Sequence, residues 1–550
     1  VTRQTRAKAM RAQAATDAAR KPDVTFHKRS PTVKSSWRVG MERPFFFLVA
    51  FTSAAILVRS YAASHVGFGD SEALYASYAL HPAPAYLDHP GLVGLVMRAI
   101  GAGGAPSPED THKLTTFATA LVPFLIAGAA RLAGAKWKRA FWTALIVAVA
   151  PEISVGLFAM TPDLILAFTW PLALGLAALA LRERPRTFRA NGAWALALLL
   201  AGIATAAKLS GALLLISLFL TPLTIPSARA HAKTWGPYAG LLLAGMVLWP
   251  VVSYEHAFHY ALLRHRLVDT ASFGPTPKSV AAFLVAQLAY VGPVLLFAAG
   301  KAALRLYRSI GRWDAVDDML AVTTFLPLAA LLCFSLVNRV AEPHWIAPAL
   351  LGLPLFVARE STSEPPSSAP ASARPMARRS EGLLPAVAFF TGLFLTALIH
   401  VWVLVPACAR LIPEDREKLD IANELYGWPR ALAVAREMIT DERIGTGKTP
   451  VVVTPHWVLS AQLAAGLGAD VPVACDMPIP TDFDDWEPAV VWRKADSLLF
   501  VTDARFPVDL NARFPDRHVT NERTVSVLRG GRIIRTFKLA LLGKLALGSR

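Results

Sequence analysis

Apolar runs set the first constraint on this chain. Between positions 44 and 405 they follow one another with only short polar breaks. A backbone in that pattern satisfies its hydrogen bonds as helices in lipid rather than around an aqueous core. Of the 550 residues, 54% are hydrophobic and 17% charged, where a soluble protein carries about a quarter charged residues. The expected fold class is mainly α, a polytopic membrane helical bundle with a small C-terminal α/β domain. Eleven spans are expected, near 44–61, 114–134, 140–158, 163–181, 192–207, 209–226, 236–254, 279–299, 319–337, 345–358 and 383–405. The fifth, sixth and tenth are shorter than the roughly 20 residues of a straight crossing, and read as tilted, re-entrant or differently bounded.

The net charge of +17 follows the membrane pattern. Basic residues cluster in 1–43, Lys136–Arg139, Arg182–Arg189, Arg229–Lys233, Lys301–Arg312 and Arg359–Arg379. In the eleven-span arrangement all six fall on one side, which makes that side cytoplasmic. No basic groove interleaved with aromatics is present, so nucleic acid is not an expected partner. Residues 1–43 hold eleven Lys/Arg against three Asp/Glu and read as a disordered cytoplasmic tail. Residues 361–378, rich in Ser, Pro and Ala, read as a flexible linker.

Residues 406–550 change character and read as a periplasmic α/β domain. Ala422–Ile439 fits a helix. Pro450–Thr454, Val471–Cys475 and Ser497–Thr502 fit short buried strands, with a helical His456–Leu467 between the first two. That β-α-β order implies some parallel pairing. Leu539–Leu547 is too short to cross a bilayer and reads as packing on the domain or lying at the interface. Of the three cysteines, Cys333 falls in an apolar span, and Cys408 and Cys475 lie where a disulfide is chemically allowed.

The polar groups that carry chemistry gather on the non-cytoplasmic side. Loop 62–113 contains Asp70, Glu72, Asp88 and His89, and later turns add Asp163, Lys208, His256, Arg264, Arg266, Glu342 and His344. A transporter places its charges near mid-span on broken helices; here they sit at helix ends and in loops. That suits an enzyme acting at the membrane face on a substrate whose tail stays in lipid. A lipid-linked sugar flippase is the alternative, and a membrane-anchored binding protein working through its tail is a third. Bland roles compete: Asp163 as a helix cap, Lys208 as a snorkelling residue, His344 with Trp345 as an interfacial pair. Asp70, Glu72 and Asp88 also have the oxygen donors that suit a divalent cation.

The order Asp70-x-Glu72, Tyr86-x-Asp88-His89-Pro90, Thr161-Pro162-Asp163, Lys208, Trp249-Pro250 with His256, and Glu342-Pro343-His344-Trp345 resembles the GT-C glycosyltransferases. More narrowly, it resembles the bacterial branch of the dolichyl-phosphate-mannose protein mannosyltransferases and their lipid A aminoarabinose transferase relatives. The likeness covers roughly residues 44–505 and includes Glu424–Trp428. It implies an inner-membrane enzyme that takes a sugar from a polyprenyl-phosphate donor and passes it, with inversion, to lipid A, a cell-surface glycan or protein. No cofactor is required by it. The first-loop Asp is the implied general base and maps to Asp70; the Asp-Ser-Glu spacing here leaves Glu72 as the other choice. Asp88, Asp163 and Glu342 would bind sugar hydroxyls or orient cations, with His89, His256 and His344 supporting them. Lys208, with Arg264 or Arg266, would stabilise the departing phosphate.

Overall fold

The computed structural model describes residues 36–270, 273–308, 314–338, 342–359, 374–413, 416 and 419–545. The tail through position 35 and the linker at 361–373 lie outside the described residues. The chain divides into two compact units, 1–43 and 44–550, so the helices and the C-terminal sheet belong to one body.

Eleven spans were expected. By length and composition, seven helices among the described residues can cross a membrane, or nine if two bent pairs each count as one. The seven are α1 (Ser36–Ala63), α4 (Pro108–Leu132), α6 (Pro162–Arg182), α7 (Phe188–Ala207), α9 (Gly236–Ala257), α12 (Ala315–Val337) and α13 (Arg374–Leu404). α5 (Trp137–Ala148) bends by 75° into a turn begun by Pro151, and α8 (Gly211–Thr224) by 82° into a turn begun by Pro226. Proline lacks the N–H that would continue the helical ladder. The remaining two expected spans are broken outright. The eighth becomes α10 (Pro277–Tyr290) and α11 (Pro293–Arg308), parted at Gly292 with φ +94°. The tenth becomes three short turns from Pro343 to Arg359 interrupted by Pro348, Gly352 and Pro354.

Local chemistry starts the helices where the site needs them. Ser107 caps α4 by accepting from the Asp110 N–H at 3.1 Å, with Pro108 at the first helical position. At α6, Pro162 likewise takes the first helical position after Thr161, with Asp163 in the first turn, though Thr161 makes no side-chain cap hydrogen bond. Within the bundle, small residues let helices approach closely. A Cβ on Gly175 of α6 would lie 2.8 Å from Ala129 of α4, and one on Gly202 of α7 would lie 2.7 Å from Ala244 of α9. Trp170 and Trp194 are fully buried among them.

The non-span helices α2 (Asp70–Tyr78) and α3 (Leu92–Ile100) form most of the first loop. After α13 come α14 (Trp428–Thr446), β1 (Val451–Thr454), α15 (Trp457–Leu467), β2 (Val473–Cys475), β3 (Ser497–Asp503), β4 (Arg517–Arg529) and β5 (Arg532–Lys544). The three strands read from sequence pair in parallel, as β2-β1-β3, and β5 and β4 extend the sheet antiparallel. Of Leu539–Leu547, expected to pack on the domain or lie at the interface, Leu539–Leu542 is buried strand paired with β3, which is packing on the domain. The helix read at Ala422–Ile439 begins later, at Trp428, after a 3₁₀ turn Ile421–Leu425. Among the described residues the cysteines are free thiols.

The sheet is anchored to the first loop. α15 packs on α2, Gln462 Nε2 donates to the Phe68 carbonyl at 2.8 Å, and Gly67 N donates to the Leu425 carbonyl at 2.8 Å. Asp482 accepts from the Leu87 N–H at 2.8 Å and from the Tyr78 hydroxyl at 3.1 Å.

Candidate active site

A cavity of about 400 Å³ opens where the N-termini of α2 and α6, the broken turn after α5, the Pro343 turn and the sheet region converge. Its size is within the usual range of small-molecule sites, roughly 300–1,000 Å³. Seven carboxyl groups line it: Asp70, Glu72, Asp88, Glu152, Asp163, Glu342 and Glu424. His89, Arg266 and His344 also line it, with Tyr75, Tyr290, Trp345 and Trp457 as apolar walls. Eight of the eleven residues singled out from the sequence thus meet at one place.

Three of the carboxylates are each held by one cation. Asp70 Oδ2 accepts from Arg505 Nη1 at 2.9 Å. Asp88 lies 3.1 Å from Arg266. Asp163 takes both of its oxygens to Lys208 Nζ, at 2.8 and 2.9 Å. Asp70 and Asp163 also stand in the first turns of α2 and α6, where the helix dipole favours negative charge.

The two first-loop acids have different surroundings. Glu72 is 2% exposed, and its oxygens accept from His112 Nε2 at 2.9 Å and from the Met160 N–H at 2.7 Å. It is spent on joining α2 to α4 and to the turn before α6. Asp70 Oδ1, by contrast, is buried with no hydrogen-bond partner.

Two cavity histidines are shifted toward the neutral form. Burial pushes the His89 imidazole well below its ordinary range, with Arg266 adding to the effect. Burial and then the Lys208 charge lower His344, which lies 3.2 Å from Glu342 and 3.9 Å from Asp163.

Three of the residues expected in the site stand outside the cavity. Lys208 does not wait for a partner: Asp163 is that partner, and Lys208 stands behind the cavity wall. Arg264 is exposed and sits 3.6 Å from Asp269, outside the cavity. His256, at the end of α9, meets the edge of the Tyr260 ring and is also outside. Among cations, Arg266 is the one lining the cavity. Nor do Asp70, Glu72 and Asp88 share a cation site. They turn to Arg505, His112 and Arg266 respectively, and among the described residues no group of three His, Cys, Asp or Glu is arranged to hold a metal.

Glu152, Tyr290, Trp457 and Arg505 carry no signal in the sequence that marks them as site residues. Arg505 follows β3 and bridges Asp70 to Asp503, at 2.9 and 3.0 Å. Arg535 of β5 binds the same Asp503 at 2.7 Å and stacks on Trp428 at 4.2 Å. An isolated Arg after an apolar strand is ordinary in any sheet protein. Glu424 belongs to the Glu424–Trp428 motif, but the motif attaches no chemistry to it.

The helical bundle and its C-terminal sheet, with the carboxylate-lined cavity between helix ends, share their fold with a solved lipid-linked-sugar enzyme, ArnT. The crystal structure of ArnT from Cupriavidus metallidurans bound to undecaprenyl phosphate aligns with a TM-score of 0.57 at 16% identity, over 91% of this chain and 98% of that one. The apo crystal structure of ArnT from the same organism aligns at 0.56 and 16% identity, over 89% and 97%. No protein-family model matches the chain, and no curated protein does.

Proposed function

We propose that this protein is a multi-pass inner-membrane glycosyltransferase. It moves a sugar from a polyprenyl-phosphate donor to an acceptor hydroxyl on lipid A, a cell-surface glycan or protein, with inversion at the anomeric carbon. Its N-terminus is cytoplasmic, and residues 406–550 form a periplasmic domain, a reading supported by the one-sided placement of basic residues.

The observation that carries the reading is Asp70, a lining residue of a sugar-sized cavity, with one oxygen fixed by Arg505 and the other buried without a hydrogen-bond partner. In the reaction the acceptor oxygen bonds to C1 while the C1–O bond to phosphate breaks. The electron pair leaves on the phosphate, and the acceptor proton passes to Asp70. Phosphate is a good leaving group and needs charge stabilisation more than a proton, for which Arg266 is suited. The remaining carboxylates offer acceptors for sugar hydroxyls. Support for a polyprenyl-phosphate donor comes from the shared fold with ArnT bound to undecaprenyl phosphate.

The test is transfer by the purified protein in nanodiscs from a panel of polyprenyl-phosphate sugars. Asp70→Asn is expected to lower turnover about 100-fold or more with little change in donor affinity. Glu72→Gln is expected to reduce thermal stability first, because it disturbs a buried hydrogen-bonded carboxylate. Near-normal turnover by Asp70→Asn would remove it as the base.

A further inference from the structure

Glu424 stands near Asp70, and among the described residues its carboxyl forms no ion pair. It projects from the 3₁₀ turn Ile421–Leu425 into the same cavity. Its Oε1 lies 3.5 Å from where a Cβ on Gly69 would be, and the Gly67 to Leu425 hydrogen bond staples the two backbone segments together. The Asp70 charge acts directly on the Glu424 carboxyl, and Asp70 Oδ1 is buried with no hydrogen-bond partner.

We propose that Asp70 and Glu424 act as one proton-accepting pair, in which Glu424 shares and stores the proton that Asp70 takes from the acceptor hydroxyl. The inference rests on the glycosyl-transfer reading and deepens it. In the step, the acceptor O–H breaks as its oxygen bonds to C1, the phosphate departs with the C1–O electron pair, and the proton stays within the pair. Arg505 keeps a positive charge against the pair throughout. Two carboxyls at one site hold their last proton more tightly than either would alone.

The groups around Glu424 support this. Asp70 faces it from α2, Arg505 from the segment after β3, and Arg535 from β5. Tyr290 of α10 lies across the cavity. Asp503 and His456 surround Asp70 and Arg505. Burial, then the Asp70 charge, pushes the Glu424 carboxyl up to about 7, with the two arginines opposing. At neutral pH the pair therefore sits between holding one proton and none, and the two-fold anion is the stronger base.

The test is Glu424→Gln, which keeps the shape and a hydrogen-bond donor but carries no titrating carboxyl. Infrared spectra of the full chain in nanodiscs, taken from about pH 5 to pH 9, are expected to show a protonated-carboxyl band. It should disappear near pH 7 in the wild type and be missing from Glu424→Gln. In Asp70→Asn the band should remain but titrate about one pH unit or more lower, because the like charge is gone. Turnover of the wild type should rise with pH through the same range, and in Glu424→Gln that rise should move at least about one unit toward acid. A band unchanged by both substitutions overturns the pair. A turnover profile in Glu424→Gln identical to wild type overturns its role in accepting the proton. If the infrared behaviour is as expected and no polyprenyl-phosphate sugar is turned over, the pair stands and the sugar-transfer reading falls.

Discussion

Lys208 and Asp163 stand 45 positions apart in sequence and meet at 2.8 Å. Read from sequence alone, a lysine between two apolar runs needs an anionic partner, and a lipid phosphate was the candidate. The need was legible; the partner was not, because pairing across helices depends on how α6 and α7 pack. With side chains only 11% and 15% exposed, removing one member leaves a largely buried charge uncompensated, which costs on the order of 3 kcal/mol. Lys208→Met is therefore expected to lower the melting temperature in detergent as well as turnover, and adding Asp163→Asn should recover most of the lost stability while turnover stays low. If Lys208→Met melts like the wild type, the pair is not structural and Lys208 returns to contention as a phosphate ligand. The choice between Asp70 and Glu72 was likewise open at two residues' spacing. The two acids differ in partners at positions 112, 160 and 505 that no local pattern connects to them, and that difference supports Asp70 as the proposed base.

At the level of elements, nine of the eleven expected spans correspond to a helix or a bent pair, since hydrophobic runs of membrane length are strong local signals. The other two failed at Gly292-Pro293 and at Pro348, Gly352 and Pro354, breakers already present in the sequence. The β4–β5 hairpin was passed over, although Gly530-Gly531, with φ +61° and +84°, is a strong turn signal. The contact between loop and sheet makes a pH prediction. Burial pushes Asp482 from its ordinary 3.8 up to about 7. Because the folded-state value is raised, the folded state binds the extra proton. The stability this group contributes is complete below about 3.8, falls as pH rises toward 7, and is flat above. Asp482→Asn keeps an acceptor for Leu87 N–H but cannot ionise. Its melting temperature should decline less than that of wild type between pH 4 and pH 7; equal slopes in the two proteins would assign the pH dependence elsewhere.

For the whole molecule, the joining of α2 to α15 and of Asp70 to Arg505 ties the first loop to the sheet. Residues 82 and 448, both exposed, should then be reached from the same side of the membrane. Single cysteines at 82 and 448 in a cysteine-free background are expected to react with an impermeant thiol reagent in intact cells, and cysteines at 20 and 370 only after permeabilisation. Opposite behaviour of 82 and 448 would contradict the contact, and reversed labelling of all four would invert the orientation. The sequence by itself determined the membrane class, most of the spans, the parallel strands and the order of acidic motifs, because hydrophobic length, alternation and helix-start chemistry act over a few neighbouring residues. Only the tertiary structure decided which partner each acid meets, that Arg505 holds Asp70, and that Glu424 comes to the same cavity from the far end of the chain. Those outcomes depend on distances between groups hundreds of positions apart, and on the burial that packing alone creates.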